Sequence, residues 1–342
     1  MKEITMGQLK DSIAPRRLNH VLHADQFDRP LLEHLCRVTD AARKLDKTRE
    51  GLMHLKNLLP HRRAMLYFTQ PSTRTFLSFQ SACQILGVQT SEIRDASTSS
   101  ERKGETVEDS LRTFSSYVDL IIMRTPMAGL CDRMASLLDE TPRPVPIMNG
   151  GSGPDQHPTQ AVLDIYTLTR SFKEQGGIDG KTIVMVGDMK NGRTIRSLSH
   201  LLTLYKNVRM IFVSPPEFKM GDDLRKILTL AGSRFEETDN FLGAIHEADA
   251  IYMTRVQDEY DPTGRARTLD ISRFSLKHKH MEGLKPHCVI MHPLPRREEL
   301  DPAIDSDPRA KYWRQERNGM WTRVALITML MGVDHHLVLP EL

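Results

Sequence analysis

One local pattern recurs along the chain: a short apolar run, a cluster of turn residues, then apolar positions three and four apart. "AMLYF" (64–68) passes through a turn into a segment with Phe76, Phe79, Cys83 and Leu86 on one helical face. "GETVEDSLRTFSSY" brings Val107, Leu111 and Phe114 together and leads to the strand "DLIIM" (119–123). "VPIM" (145–148) runs into a glycine-rich turn and then "HPTQAVLDIYTL". Pro158 suits the first helical position there, because its missing N–H would be unpaired anyway. Near-continuous apolar strands alternating with helices predict a parallel sheet covered on both faces.

A second series starts at "KTIVMVGD" (181–188), followed by a helix face of Ile195, Leu198, Leu202 and Tyr205. "VRMIFVS", "AIYMTR" and "CVIMHP" are further strands, with "DDLRKILTLAG" and "NFLGAIHEAD" as intervening helices. "WTRVALITMLMG" (321–332) is an apolar closing helix with no strand after it, free by its pattern to pack on either half. The expected fold is α/β: two doubly wound domains, each with a mainly parallel sheet flanked by helices, hinged near residues 149–160.

Composition narrows the function class. At 342 residues the chain can bury two cores, and 39% hydrophobic with 27% charged residues is a globular balance. A net charge of +3, spread along the chain, argues against a nucleic-acid partner. No run approaches the roughly 18 to 20 apolar residues of a membrane span, and the N-terminus lacks a signal-peptide core. Cys36, Cys83, Cys131 and Cys288 form no Cys-x-x-Cys pair. The expectation is inert thiols in a reducing compartment, a cytoplasmic location and no metal site. "KHKH" (277–280) and His335-His336 lack partners at ligand spacing.

Candidate chemistry collects after the strands, where open parallel sheets bind ligands. "FTQPSTRTFLSF" (68–79) leaves a strand and presents Ser72, Thr73, Arg74 and Thr75 where a helix begins. Unpaired N–H groups, hydroxyls and a guanidinium at a helix N-terminus make a phosphate cradle without a Walker lysine loop. The other strand ends carry Arg124, His157 with Gln160, Arg193, Arg255 with Gln257, and "HPLPR" (292–296). Arginine forks match carboxylate and phosphate oxygens in pairs, so the set suits substrates carrying several negative charges. Alone, each signal admits an ordinary role: a Ser/Thr cap, a structural histidine, a stiff proline turn, a surface charge. "GDMKNGR" (187–193) lacks the G-x-G-x-x-G of a dinucleotide site, and Asp188 admits the role of a turn residue.

Together, "STRTFLSF", "MRTP", "QHPTQAVLDIYTL", "GDMKNGR", "YMTRVQDE" and "MHPLPR" resemble the aspartate/ornithine carbamoyltransferase family, in particular its aspartate branch of pyrimidine synthesis. The likeness runs from "HVLHADQF" (20–27) to "NGMWTRVALI" (318–327). It implies a carbamoyl-phosphate-binding domain at 1–156, completed by a C-terminal helix (318–342) returning to it, and an aspartate-binding domain at 157–317. By resemblance, Ser72, Thr73, Arg74 and Thr75 hold phosphate; Arg124, His157 and Thr75 surround the carbamoyl oxygen, with Gln160 on its amide. Arg193, Arg255 and Gln257 take the carboxylates of L-aspartate, and Leu294 and Pro295 offer backbone carbonyls. In "STSSERKGE" (97–105), Lys103 matches a lysine that a neighbouring subunit of a homotrimer inserts into the site, with Ser99 or Ser100 as its partner. Regulatory or pathway partner chains are compatible with the resemblance.

The implied reaction needs neither metal nor organic cofactor, since phosphate is a good leaving group and can accept the amine proton. The competing expectations are an acceptor such as ornithine, or a catalytically silent scaffold homologue. The ornithine branch carries "HCLP" where this chain has "HPLP", and a silent homologue usually loses the residues matched here by Arg74 or Lys103. Departures from the pattern stand at Thr125, at Gly150 to Ser152, and at Asn191.

Overall fold

The computed structural model describes residues 17–95, 104–153, 156–257 and 272–337. The first half contains helices α1 (Arg29–Leu45), α2 (Arg49–Lys56), α3 (Thr73–Ile85), α4 (Val107–Ser115) and α5 (Leu130–Asp139). They surround strands β1 (Arg63–Phe68), β2 (Gln89–Ile93), β3 (Leu120–Thr125) and β4 (Ile147–Ser152). These strands form a parallel sheet in the order β2-β1-β3-β4. Helix α6 (Pro158–Ser171) leads to a second parallel sheet built from β5 (Thr182–Val186), β6 (Arg209–Val213), β7 (Arg234–Thr238), β8 (Ala250–Met253) and β9 (Val289–Met291). Its order is β7-β6-β5-β8-β9, with α7 (Arg193–Leu202), α8 (Asp222–Leu230) and α9 (Phe241–Glu247) between strands. The closing helix is α10 (Tyr312–Leu330).

The apolar strand runs follow from burial on both faces. In β3, Leu120 and Ile122 join one core while Ile121 and Met123 join another. In β5, Ile183 and Met185 face the first of these cores, and Val184 and Val186 enter a third. The core holding Ile122 and Met185 also contains Ile165 of α6 and Trp321 of α10, so it passes from one sheet to the other. Helix α10 packs on α1, α3 and α6. The C-terminal helix therefore lies against the helices of the first sheet.

Three features differ from the sequence pattern. First, β4 continues through Asn149-Gly150-Gly151-Ser152, where a turn is predicted, with a register shift opposite Met123 and Thr125. Glycine makes this possible: a Cβ on Gly150 would lie 3.2 Å from the Met123 carbonyl oxygen and 3.3 Å from the Phe79 ring. Second, "QTSEI" and "RFEET" form edge strands β2 and β7, partly exposed and without the apolar run of the central strands. Third, α10 begins nine residues before the predicted apolar segment, because the inward positions there are Gln315 and Asn318, both buried and hydrogen-bonded.

Candidate active site

The order of each sheet has one point at which consecutive connections diverge, between β1 and β3 in the first and between β5 and β8 in the second. Crevices open at the carboxyl ends of such strand pairs. The two crevices face a common cavity of about 620 Å³, walled by groups from both sheets and from α10.

At the end of β1, Pro71 breaks the strand and Ser72 caps α3 with its hydroxyl making no capping hydrogen bond. The first-turn N–H groups of such a helix lack intrahelical partners and carry partial positive charge. Ser72, Arg74 and Thr75 reach the cavity wall; Thr73, in the same turn, is exposed and does not line it. Arg74 is exposed and Thr75 is buried beneath it.

Arg124 leaves the end of β3 into a buried position and donates from Nη1 to the Gly150 carbonyl at 3.0 Å. Gly151 sits at φ +111°, and a Cβ there would meet Arg124 Nη1 at 2.5 Å and the His157 ring at 3.2 Å. Only glycine lets that strand end carry Arg124 and His157 side by side. His157 caps α6, and its backbone N–H donates to Ser197 Oγ at 3.2 Å. Thr159 Oγ1 lies 3.5 Å from His157 Nδ1. Burial, then the nearby Arg124, Arg193 and Arg323 cations, holds this imidazole well below the ordinary histidine pKa. It is therefore neutral at physiological pH, and a hydroxyl proton donated to Nδ1 would leave Nε2–H as the outward donor.

Gln160, one turn along α6, lines the cavity and donates from Nε2 to Asp164 Oδ1 at 3.0 Å. From the second sheet, Arg193 at the start of α7 donates to the Gly153 carbonyl at 2.7 Å, crossing between the two halves. Arg255 follows β8, lines the cavity and donates to the Val256 carbonyl at 2.9 Å. Gln257 enters the same wall, and its N–H donates to Asp188 Oδ2 at 3.3 Å. Asp188 also accepts from the Asn191 backbone at 2.9 Å and side chain at 3.0 Å. Asn191, which departs from the family pattern, thus braces the carboxylate that fixes Gln257.

After β9, His292 donates from Nε2 to Glu299 at 2.8 Å, and its Nδ1 accepts the Leu294 N–H at 2.8 Å. The ring orients the turn that brings Leu294 and Pro295 to the cavity. Leu294 sits at φ 51°, a conformation unusual for a branched residue, and the Leu294–Pro295 bond is cis.

Eleven of the residues singled out in the sequence thus line one cavity: Ser72, Arg74, Thr75, Arg124, His157 and Gln160 from one side, and Arg193, Arg255, Gln257, Leu294 and Pro295 from the other. Lys103, with Ser99 and Ser100, lies outside the described residues. Sequence reasoning missed Glu316 and Arg323, which α10 contributes to the wall. Arg323 is buried, donates to Ser78 Oγ at 2.6 Å and stacks 4.7 Å over the Phe79 ring. Its burial lowers its pKa to about 10. An arginine inside "WTRVALITML" was the available signal, since an apolar helix rarely spends a buried position on a cation without use. Among the described residues, no group of three or more His, Cys, Asp or Glu could hold a metal ion, and no helix is long and apolar enough to cross a membrane.

Residues 19–170 match the family model described as aspartate/ornithine carbamoyltransferase, carbamoyl-P binding domain, and residues 179–330 match its Asp/Orn binding domain. The chloroplastic aspartate carbamoyltransferase of Oryza sativa subsp. japonica is 40% identical over 326 residues, 93% of this chain and 86% of that one. The aspartate carbamoyltransferase catalytic subunit of Methanocaldococcus jannaschii is 38% identical over 299 residues, 87% of this chain and 94% of that one. Among solved structures, aspartate transcarbamoylase from Trypanosoma cruzi in complex with N-(phosphonacetyl)-L-aspartic acid is similar with a TM-score of 0.81 and 32% identity, covering 90% of this chain and 94% of that one.

Proposed function

The chain belongs to the aspartate/ornithine carbamoyltransferase family, and from that premise we propose that it transfers the carbamoyl group of carbamoyl phosphate to the α-amine of L-aspartate. One observation carries the reading: Arg124 and neutral His157 stand together at a buried wall, facing Arg193 and Arg255 across one cavity. The first pair suits a developing oxyanion, and the second pair suits two carboxylates.

In this reading the phosphate of carbamoyl phosphate sits on the α3 N-terminus, held by Ser72, Thr73, Thr75 and the Arg74 fork. Thr73 joins through its backbone N–H, because its side chain is not part of the wall. The aspartate amine attacks the carbamoyl carbon, and negative charge builds on the oxygen that Arg124, His157 and Thr75 surround. The bond from carbon to the phosphate oxygen then breaks; phosphate leaves with the electron pair and takes up the amine proton. Preorganised donors at an oxyanion are worth far more in a site that excludes water than in solution. Holding two anionic reactants together supplies a further share, up to about 7 to 11 kcal/mol for well-oriented groups. Gln160 with the Leu294 and Pro295 carbonyls holds the amide and the attacking amine, while Arg193, Arg255 and Gln257 hold the aspartate carboxylates.

The finer part of the proposal is a homotrimer in which Lys103 of a neighbouring copy completes the phosphate site. That part rests on the "STSSERKGE" resemblance.

The test is the purified protein with carbamoyl phosphate and either aspartate or ornithine, following phosphate and the carbamoylated product. Aspartate should react and ornithine should not, since guanidinium groups would meet ornithine's ammonium. Arg255→Ala should raise the KM for aspartate far more than that for carbamoyl phosphate. Equal turnover of the two acceptors by the wild type would overturn the assignment.

A further inference from the structure

Asp164 is completely buried and does not line the cavity, yet it receives three hydrogen bonds from three elements. Its Oδ1 accepts Gln160 Nε2 at 3.0 Å from its own helix and Gln315 Nε2 at 2.7 Å from α10. Its Oδ2 accepts the Tyr252 hydroxyl at 2.7 Å from β8. An ionised carboxylate has no proton to give, so it can face only the NH₂ end of each glutamine amide. The oxygen of Gln315 is thereby left for the His292 N–H, which it accepts at 2.9 Å. The oxygen of Gln160 is left for the cavity.

We propose that Asp164 is a positioning residue that fixes the polarity of the Gln160 amide, so that the site presents an acceptor oxygen to the acyl group and selects an NH₂-bearing acyl phosphate over its methyl counterpart. This rests on the carbamoyl phosphate reading of the cavity. Carbamoyl and acetyl phosphate share the phosphate and the carbonyl and differ only in NH₂ against CH₃. A fixed acceptor rewards the first and is left without a partner by the second. If the Gln160 amide could turn over, its own NH₂ would face the substrate NH₂, and its share of the discrimination, beside that of the Leu294 and Pro295 carbonyls, would vanish. The polarity survives titration of the carboxyl, which burial pushes up to about 7. A proton placed on Oδ2 can be donated to the Tyr252 oxygen, while Oδ1 remains the acceptor for both glutamines.

The experiment is calorimetric binding of carbamoyl phosphate, acetyl phosphate and inorganic phosphate to the full chain and its variants. Asp164→Ala should lose about tenfold of the carbamoyl-over-acetyl preference, the scale of one hydrogen bond, with inorganic phosphate affinity within about twofold. Asp164→Asn should keep the preference, because its amide can donate to the Tyr252 oxygen and leave its own oxygen at the Oδ1 position. If Asp164→Ala does not fold, the double variant with Tyr252→Phe, which also removes the buried hydroxyl that Asp164 accepts, makes the same comparison. A preference retained without the carboxyl group, a preference lost in Asp164→Asn, or equal weakening of all three ligands would each overturn the proposal. Gln160→Met separates it from the underlying assignment. If Gln160→Met keeps the preference, the role of Gln160 itself is wrong; if it alone loses the preference, only the part given to Asp164 fails.

Discussion

At the scale of single residues, the site depends on charge state as much as on position. His157 is useful next to Arg124 because it stays neutral: a second cation there would be desolvated and repelled. Its imidazole resonances should therefore stay in the neutral form from pH 8 down to 6, and an NMR titration with a midpoint near pH 6.5 would contradict this. The linked stability has a definite sign. With the folded pKa depressed, the unfolded chain takes up the proton first. His157 thus contributes stability above about pH 6.5 that is lost as pH falls below that value. Removing its partner as a donor, by Arg124→Ala, should lower kcat by about 10²- to 10³-fold, the usual cost of one oxyanion donor. Arg124 and His157 were legible in the sequence because they follow strands. Asp164 and Arg323 were not, since their roles depend on contacts 151 and 245 positions away, with Gln315 and Ser78.

Elements became legible where an apolar period dominated and stayed hidden where polar groups filled the inward positions. Strands β1, β3, β5, β6, β8 and β9 fall within a residue or two of their apolar runs, because both faces of each strand are covered. Among the described residues, β2 and β7 lack a second strand on one flank, and unlike the edge strands β4 and β9, which are buried, they are partly exposed and give no such signal. Helix α10 shows both cases. Its second half is apolar and was foreseen. Its first half hides behind Gln315, which bonds Asp164, and Asn318, which bonds Thr167 at 3.0 Å. The apolar half anchors the helix, and Trp321, 1% exposed in the core shared by the two sheets, is its largest side chain. Trp321→Ala should cost about 3 to 5 kcal/mol by cavity formation, read as a lower urea midpoint with an unchanged m-value. Activity should fall with it, because Arg323 and Glu316 reach the cavity from the same helix.

At the scale of the whole molecule, the proposal that Lys103 completes a phosphate site is tested by asking which copy would supply it to a given Arg74. Strand β2, which precedes Lys103 in the sequence, pairs with β1, and β1 leads into the α3 N-terminus, while Lys103 itself lies outside the described residues. The resemblance sends the lysine to a neighbour. Arg74→Ala and Lys103→Ala, each pure, should be nearly inactive in both arrangements, since either change removes a cation from every phosphate site. Mixed under conditions that allow subunit exchange, they give different outcomes. In a shared arrangement, a chain with intact Arg74 can border a chain with intact Lys103, and that pair forms a site with no defect. For random trimers mixed in equal amounts, about a quarter of the sites should be restored. If Lys103 acts within its own chain, every site keeps one defect and mixing restores nothing. The measurement is activity against mixing ratio, with exchange confirmed by native mass spectrometry. Verified exchange with no recovered activity would place Lys103 in its own chain's site.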